Sequence, residues 1–304
     1  LREFLSDPRV VDLNPWIWKP ILHGIILRVR PRKSAALYEK VWTEDGSPII
    51  TTSYAQQRGL QTRLGPDIPV ELGMRYGNPP LAPALDRLMD AGCDDVLVLP
   101  LFPQYCSATN ASVFDAVAAW SRSRRRMPSI RFVHSFATHP AYVAAVVADV
   151  RRSGVSPTEA EPLLFSYHGI PQRYADTGDP YPQECEATTQ AVVDALGLAD
   201  NAWQILYQSR FGKEPWLQPY LDVTLEQLPG DGIDRVSVIT PSFVADCLET
   251  IDEVGREAKH SFAEAGGKGY VRIPCPNASE EMLEALERIV RENLASGEGT
   301  GPTR

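Results

Sequence analysis

His168 closes an apolar run that opens with Leu163-Leu164-Phe165 and has the length of a buried strand. The chain then breaks at Gly169-Ile170-Pro171. A strand that stops at a Gly/Pro loop puts its last side chain at the carboxyl edge of a sheet, where open α/β folds keep their sites. Imidazole is the one side chain whose ordinary pKa lets it give or take a proton near neutrality. His168 is therefore a candidate for proton transfer; the plain alternative is a histidine satisfied by local hydrogen bonds. A second set, Glu249, Glu253 and Glu257, recurs every four residues and forms one line if the segment is helical. Like charges at that spacing repel by about 0.2–0.5 kcal/mol when exposed, so some compensation is expected. The line reads either as a carboxylate path that moves protons out or metal in, or as a solvated helix face.

The elements that must position these groups follow from periodicity. Short apolar runs at 95–101, 130–133, 163–167, 204–207, 235–240 and 270–273 are expected as strands, with another at 70–76. Helical patterns cover 81–91, 113–120, 141–152, 183–196, 217–228, 246–263 and 279–293. Residues 34–64 read as two helices around a turn at 44–48, the second capped by Thr52 or Ser53. Strands alternating with helices predict an α/β fold of two Rossmann-like domains, each a parallel sheet flanked by helices. The cleft between them should be lined by strand-end loops. The Gly/Ser/Pro/acid-rich stretch at 154–161 is the expected boundary. It gives a first domain over 1–153 and a second over 160–294 that carries the His and Glu motifs. Residues 295–304 read as a disordered tail.

In the first domain, residues 14–33 form a hydrophobic lip. Trp16, Ile17, Trp18, Ile21, Leu22 and the run Ile25-Ile26-Leu27 lead into Arg28, Arg30, Arg32 and Lys33. This composition fits a surface that meets a membrane interface or a greasy anionic ligand, and equally a helix packed on the core.

Composition removes several function classes. The net charge of −9 and pI near 5.2 repel phosphate backbones, so no nucleic-acid partner is expected. The five cysteines contain no C-x-x-C pair, which leaves no zinc knuckle, disulfide frame or iron–sulfur ligand set. No G-x-G-x-x-G, Walker or H-E-x-x-H motif occurs. No apolar run reaches the ~18 residues of a membrane span, and no signal peptide is visible. A cytoplasmic protein is expected, peripheral on the inner face of the membrane if the lip meets lipid. The chain opens on leucine in mid-element, so residues are expected to precede it.

Five blocks in register across nearly the whole chain resemble the ferrochelatases of the proteobacterial type. They are Met74-Arg-Tyr-Gly77, Pro103-Gln-Tyr105, His168-Gly-Ile-Pro171 with Gly178-Asp-Pro-Tyr-Pro182, Gln208-Ser-Arg-Phe-Gly212 with Glu214-Pro-Trp216, and Phe243-Val-Ala-Asp-Cys-Leu-Glu-Thr250. The resemblance implies two Rossmann-like domains without a bound nucleotide. It also implies insertion of ferrous iron into protoporphyrin IX to give protoheme. Iron is then a substrate, no cofactor is bound permanently, and no iron–sulfur cluster is expected. Family members begin with a strand and Gly-rich loop that would lie before Leu1.

By the same resemblance, His168 is the proton acceptor or the metal's escort, and Glu249 is its acidic partner or a second metal ligand. Glu253 and Glu257 extend the path. Arg30, Lys33, Arg75 and Ser209 match positions that approach the propionates or the pocket wall, and Tyr76, in the Met74–Gly77 block, is expected to bind the porphyrin. Phe243 and Trp216 match pocket positions, with plain core as their alternative, and Tyr105 packs on the ring edge or donates its hydroxyl. Asp246 matches a pocket position, with helix capping as its alternative; Arg75 has a structural ion pair as its own. A chelatase for coproporphyrin or cobalt, and a non-catalytic tetrapyrrole carrier, are the competing functions.

Overall fold

The computed structural model describes residues 1–295. The residues beyond Ala295 in the stretch read as a disordered tail lie outside the described residues.

The second half is built on a four-stranded parallel sheet. To number strands along the chain, those of the first half are β1 (Asp95–Val98) and β2 (Ser129–Phe132). The four of the second half are β3 (Leu163–His168), β4 (Trp203–Gln208), β5 (Arg235–Ile239) and β6 (Gly269–Arg272). Their order is β4-β3-β5-β6. The chain therefore moves outward from β3 to β4, then crosses back past β3 to β5 and β6. The carboxyl ends of β3 and β5 flank the point where strand order reverses, the position at which open α/β sheets hold ligands. β3 is central, and its first five residues are buried. This explains a near-continuous apolar run rather than an alternating one.

In the first half β1 and β2 pair in parallel, Asp95 opposite Ser129. The strand expected at 70–76 does not form. Only an isolated bridge joins Met74 to Pro80. Side chains take the backbone groups that a neighbouring strand would need: Gln57 Nε2 donates to the Val70 carbonyl at 2.7 Å, and the Val70 N–H donates to Gln61 Oε1 at 2.8 Å. The helix expected to begin at Thr52 or Ser53 begins earlier, as Pro48–Leu64. Proline in the first turn fixes φ where no N–H partner is needed. Ser53 lies inside that helix, its hydroxyl donating to the Ile49 carbonyl at 2.7 Å.

One apolar core runs through both halves, from Leu60 and Leu64 through Tyr142 and Val146 to Phe165, Tyr167, Leu286 and Ile289. Helix Pro140–Arg152 packs on both Tyr181–Leu196 and Glu280–Ala295. The Pro241 carbonyl, just past β5, accepts from Tyr142 Oη and from Gln104 Nε2, two groups of the first half. The loop that follows β5 is thus held from below by the first half.

The lip resolves into helix Pro15–Ile21, a π-helical turn Leu22–Ile26 and helix Leu27–Glu39. Its two expected characters belong to different faces. Leu22 is fully buried against Leu5 and Val11, and Trp18 Nε1 donates to the Leu5 carbonyl at 2.7 Å. Trp16 is 89% exposed, Ile17 62%, Ile25 60% and Val29 55%. No helix among the described residues is long and apolar enough to cross a membrane.

Candidate active site

His168 is the last residue of β3 and pairs in register with Gln208, the last residue of β4. Its imidazole is half-buried, with Nδ1 2.7 Å from the Gly169 carbonyl. A carbonyl only accepts, so Nδ1 carries the proton of the neutral ring and Nε2 keeps its lone pair. The local hydrogen bond of a structural histidine is therefore present, and it orients the ring for chemistry at the other nitrogen. The His168 N–H donates to Ser242 Oγ at 3.3 Å, and the ring lies 6.4 Å from that of Phe243. Position 169 has no room for a side chain. A Cβ there would stand 2.9 Å from the Gln208 carbonyl oxygen and 3.2 Å from Trp216 Cε3.

The acids come from the segment after β5. The α-helix expected over 246–263 is π-helical over Glu249–Glu257 and α-helical only over Ala258–Glu264. Such wide turns are rare and gather at functional sites. Side chains brace the start of this one. Asp246 accepts from Thr250 Oγ1 at 2.8 Å, Arg272 Nη1 at 2.6 Å and Asn277 Nδ2 at 2.9 Å. Thr250 Oγ1 in turn accepts from the Cys247 N–H at 3.0 Å. Gly255 makes space, since a Cβ there would meet Arg272 Cδ at 3.1 Å and the Thr250 carbonyl at 3.3 Å. Asp246 thus braces the first turn through a hydroxyl, with both of its oxygens engaged.

Glu249 and Glu253 are half-buried and Glu257 is exposed, so the three grade from the interior toward water. Glu253 Oε1 accepts from the Ser209 N–H at 2.7 Å, and Oε2 from Ser209 Oγ at 2.6 Å. Burial pushes the Glu253 carboxyl above its usual range. The Ser209 hydrogen bonds and the charge of His168 oppose that push, and Glu249 adds to it. His168 and Glu249 therefore act on one and the same carboxylate. Tyr38, on the lip helix Leu27–Glu39, is the next neighbour: burial and the charge of Glu249 both raise its phenol pKa. Lys40 Nζ, 3.3 Å from Asp252, fixes the end of that helix to the π segment.

The remaining expected residues divide. Arg30 is exposed on the lip helix with its guanidinium 5.5 Å over the Phe211 ring, and Lys33 is exposed on the same helix. Phe211 packs edge-on against Trp216 at 5.5 Å. Both rings wall an open cleft of about 500 Å³ with Arg210, Lys213 and Tyr220. Tyr105 stacks on His134 at 4.1 Å and borders a second cleft of about 340 Å³ with Arg9, Tyr174 and Asp179. His168 and Glu249 line neither cleft. Arg75 and Tyr76 are committed elsewhere. Arg75 bonds Asp7 and Ser112, and the Tyr76 hydroxyl bonds the same two residues at 2.7 and 2.9 Å. The structure groups His168, Phe243, Glu253 and Ser209, with Glu249 acting on Glu253; it engages Arg75 and Tyr76 with Asp7, Tyr105 with His134, and Asp246 with the first turn of the π segment.

Four neighbours of the site drew no functional reading from the sequence: Ser242, Gln208, Phe211 and Tyr38. The first three stand inside or beside the quoted blocks, so their positions were a usable signal. Tyr38 offered only its helical spacing from Trp42.

The ferrochelatase family profile matches residues 1–294. The chain is 49% identical over 300 residues to ferrochelatase 1 of Shewanella oneidensis, covering 97% of this chain and 90% of that protein. It is 50% identical over 290 residues to the ferrochelatase of Edwardsiella ictaluri, covering 95% and 90%. Among solved structures, SirB from Bacillus subtilis with Fe3+ shares the fold at a TM-score of 0.62 and 13% identity, over 84% of this chain and 94% of SirB. The profile match over residues 1–294, with relatives about half identical along 95–97% of the chain, places the chain in the ferrochelatase family.

Proposed function

We propose that His168, Glu249 and Glu253 form the centre at which ferrous iron enters protoporphyrin IX to give protoheme. The observation that carries this reading is the oriented imidazole at the end of β3, its Nε2 lone pair kept while Nδ1 is spent on Gly169, paired with the end of β4, where Gln208 and Ser209 hold the half-buried Glu253 carboxylate. Insertion replaces two pyrrole N–H protons by one divalent ion. Charge balances without electron transfer, so the reaction calls for no redox cofactor and no permanently bound group. His168 Nε2 accepts a proton or passes the metal on, and Glu249 stabilises the imidazolium. Glu253 and then exposed Glu257 offer successive acceptors toward water. Phe243 packs on the macrocycle near His168, and Arg30 and Lys33 on the lip meet the propionates.

Protoporphyrin IX and coproporphyrin assayed side by side with Fe2+, Co2+ and Zn2+ test the assignment. Protoporphyrin IX with Fe2+ is expected to turn over; coproporphyrin as the sole substrate, or porphyrin binding without turnover of any metal, would overturn it.

We further propose that the outward lip face, Trp16, Ile17, Ile25 and Val29 beside Lys19, Arg28 and Arg32, rests on an anionic membrane surface. Co-sedimentation with phosphatidylglycerol vesicles should fall when Trp16 and Ile25 are both replaced by serine. Equal sedimentation of that variant would remove the contact.

A further inference from the structure

We propose that Ser209 is a positioning residue: it clamps Glu253 beside His168 and does not bind the porphyrin. The inference rests on the reading of Glu253 as part of the proton or metal path. Ser209 is one of two non-glycine residues in the left-handed region among the described residues, at φ 65°. Side chains avoid that conformation, and it persists only where the surroundings fix it. Here it aims two donors of one residue at one carboxylate. The N–H reaches Glu253 Oε1 at 2.7 Å and the hydroxyl reaches Oε2 at 2.6 Å. A glycine would relax the backbone and lose the second donor.

The clamp is anchored in the sheet. Fully buried Ser166 on β3 donates to Gln208 Oε1 at 2.7 Å. With its oxygen so committed, the Gln208 amide turns Nε2 toward Glu253 Oε2 and the Glu249 carbonyl, each at 3.4 Å. The ends of β3 and β4 therefore set the carboxylate on the π segment. A serine hydroxyl has a single proton, and this one is already donated to Glu253. It has none left for a propionate, one of the two places that the resemblance implies for it, the pocket wall being the other.

Ser209→Ala, Ser209→Gly, Glu253→Gln and the double variant Ser209→Ala/Glu253→Gln make the test. The readouts are kcat, porphyrin Kd from fluorescence quenching, and Tm. Ser209→Ala is expected to lower kcat about tenfold, the worth of one hydrogen bond to a charged group, with porphyrin Kd within about twofold of the parent. Ser209→Gly should show the same loss even with a Tm at or above the parent's. Adding Ser209→Ala to Glu253→Gln should cost no further kcat. A raised porphyrin Kd with kcat retained would assign the serine to the propionates and overturn the clamp. So would full activity in Ser209→Gly, or additive losses in the double variant. Parental kcat in Glu253→Gln alone would instead remove the carboxylate path; a slowed Glu253→Gln with unchanged Ser209→Ala would remove only the clamp.

Discussion

Replacing His168 with alanine is expected to lower kcat for iron insertion by about 10²–10⁴-fold and to leave porphyrin binding intact. Nothing in the strand depends on the ring. The His168 backbone keeps its register with Gln208 and its N–H bond to Ser242 Oγ. What disappears is the Nε2 lone pair and the bond from Nδ1 to the Gly169 carbonyl. His168→Asn separates the two, because its amide can still donate to that carbonyl but cannot accept a pyrrole proton near neutral pH. The asparagine variant should be as slow as the alanine variant, with porphyrin Kd unchanged in both. Recovery of turnover by asparagine would make the histidine a brace. Wild-type turnover in the alanine variant would remove it from the chemistry altogether.

The sheet of the second half was legible because its central strands β3 and β5 are buried along most of their length, β3 as a near-continuous apolar run. β3 and β4 fall within a residue or so of their expected ends. The loss at 70–76 has the opposite cause. A short segment with apolar residues does not make a strand when Gln57 and Gln61 take the backbone groups of its first residue, Val70, and no periodicity announces that. The π turns escaped for a similar reason. The i, i+4, i+8 spacing of Glu249, Glu253 and Glu257 gives one line in either helix type. The start of the wide turn is braced instead by Arg272 and Asn277, which stand 26 and 31 residues from Asp246. Resemblance placed Arg75 and Ser209 at a pocket, yet each is spoken for by a distant acid: Asp7, 68 residues before Arg75, and Glu253, 44 residues after Ser209. The groups whose roles were readable are those set by their own strand or helix end. The groups that were not are those whose role is to hold another residue.

Glu249→Gln should slow insertion by about 10²-fold or more, and it should also change a residue of the lip. Burial and the negative charge of Glu249 both disfavour the phenolate of Tyr38, so its pKa stands above the ordinary 10.0. Glutamine removes the charge and leaves the burial. The Tyr38 pKa should therefore fall while staying above its ordinary value, which an alkaline absorbance titration reads against a Tyr38→Phe reference. The two readouts are independent, because the titration needs no substrate. A Tyr38 shift with full turnover would keep the lip over Glu249 and strip the acid of its part in the reaction. A large loss of kcat with no Tyr38 shift would keep the acid and detach helix Leu27–Glu39 from it. Only the two changes together fit a site in which the carboxylate that serves the imidazole also lies under the helix carrying Arg30 and Lys33, so that one macrocycle can reach the acid and both cations.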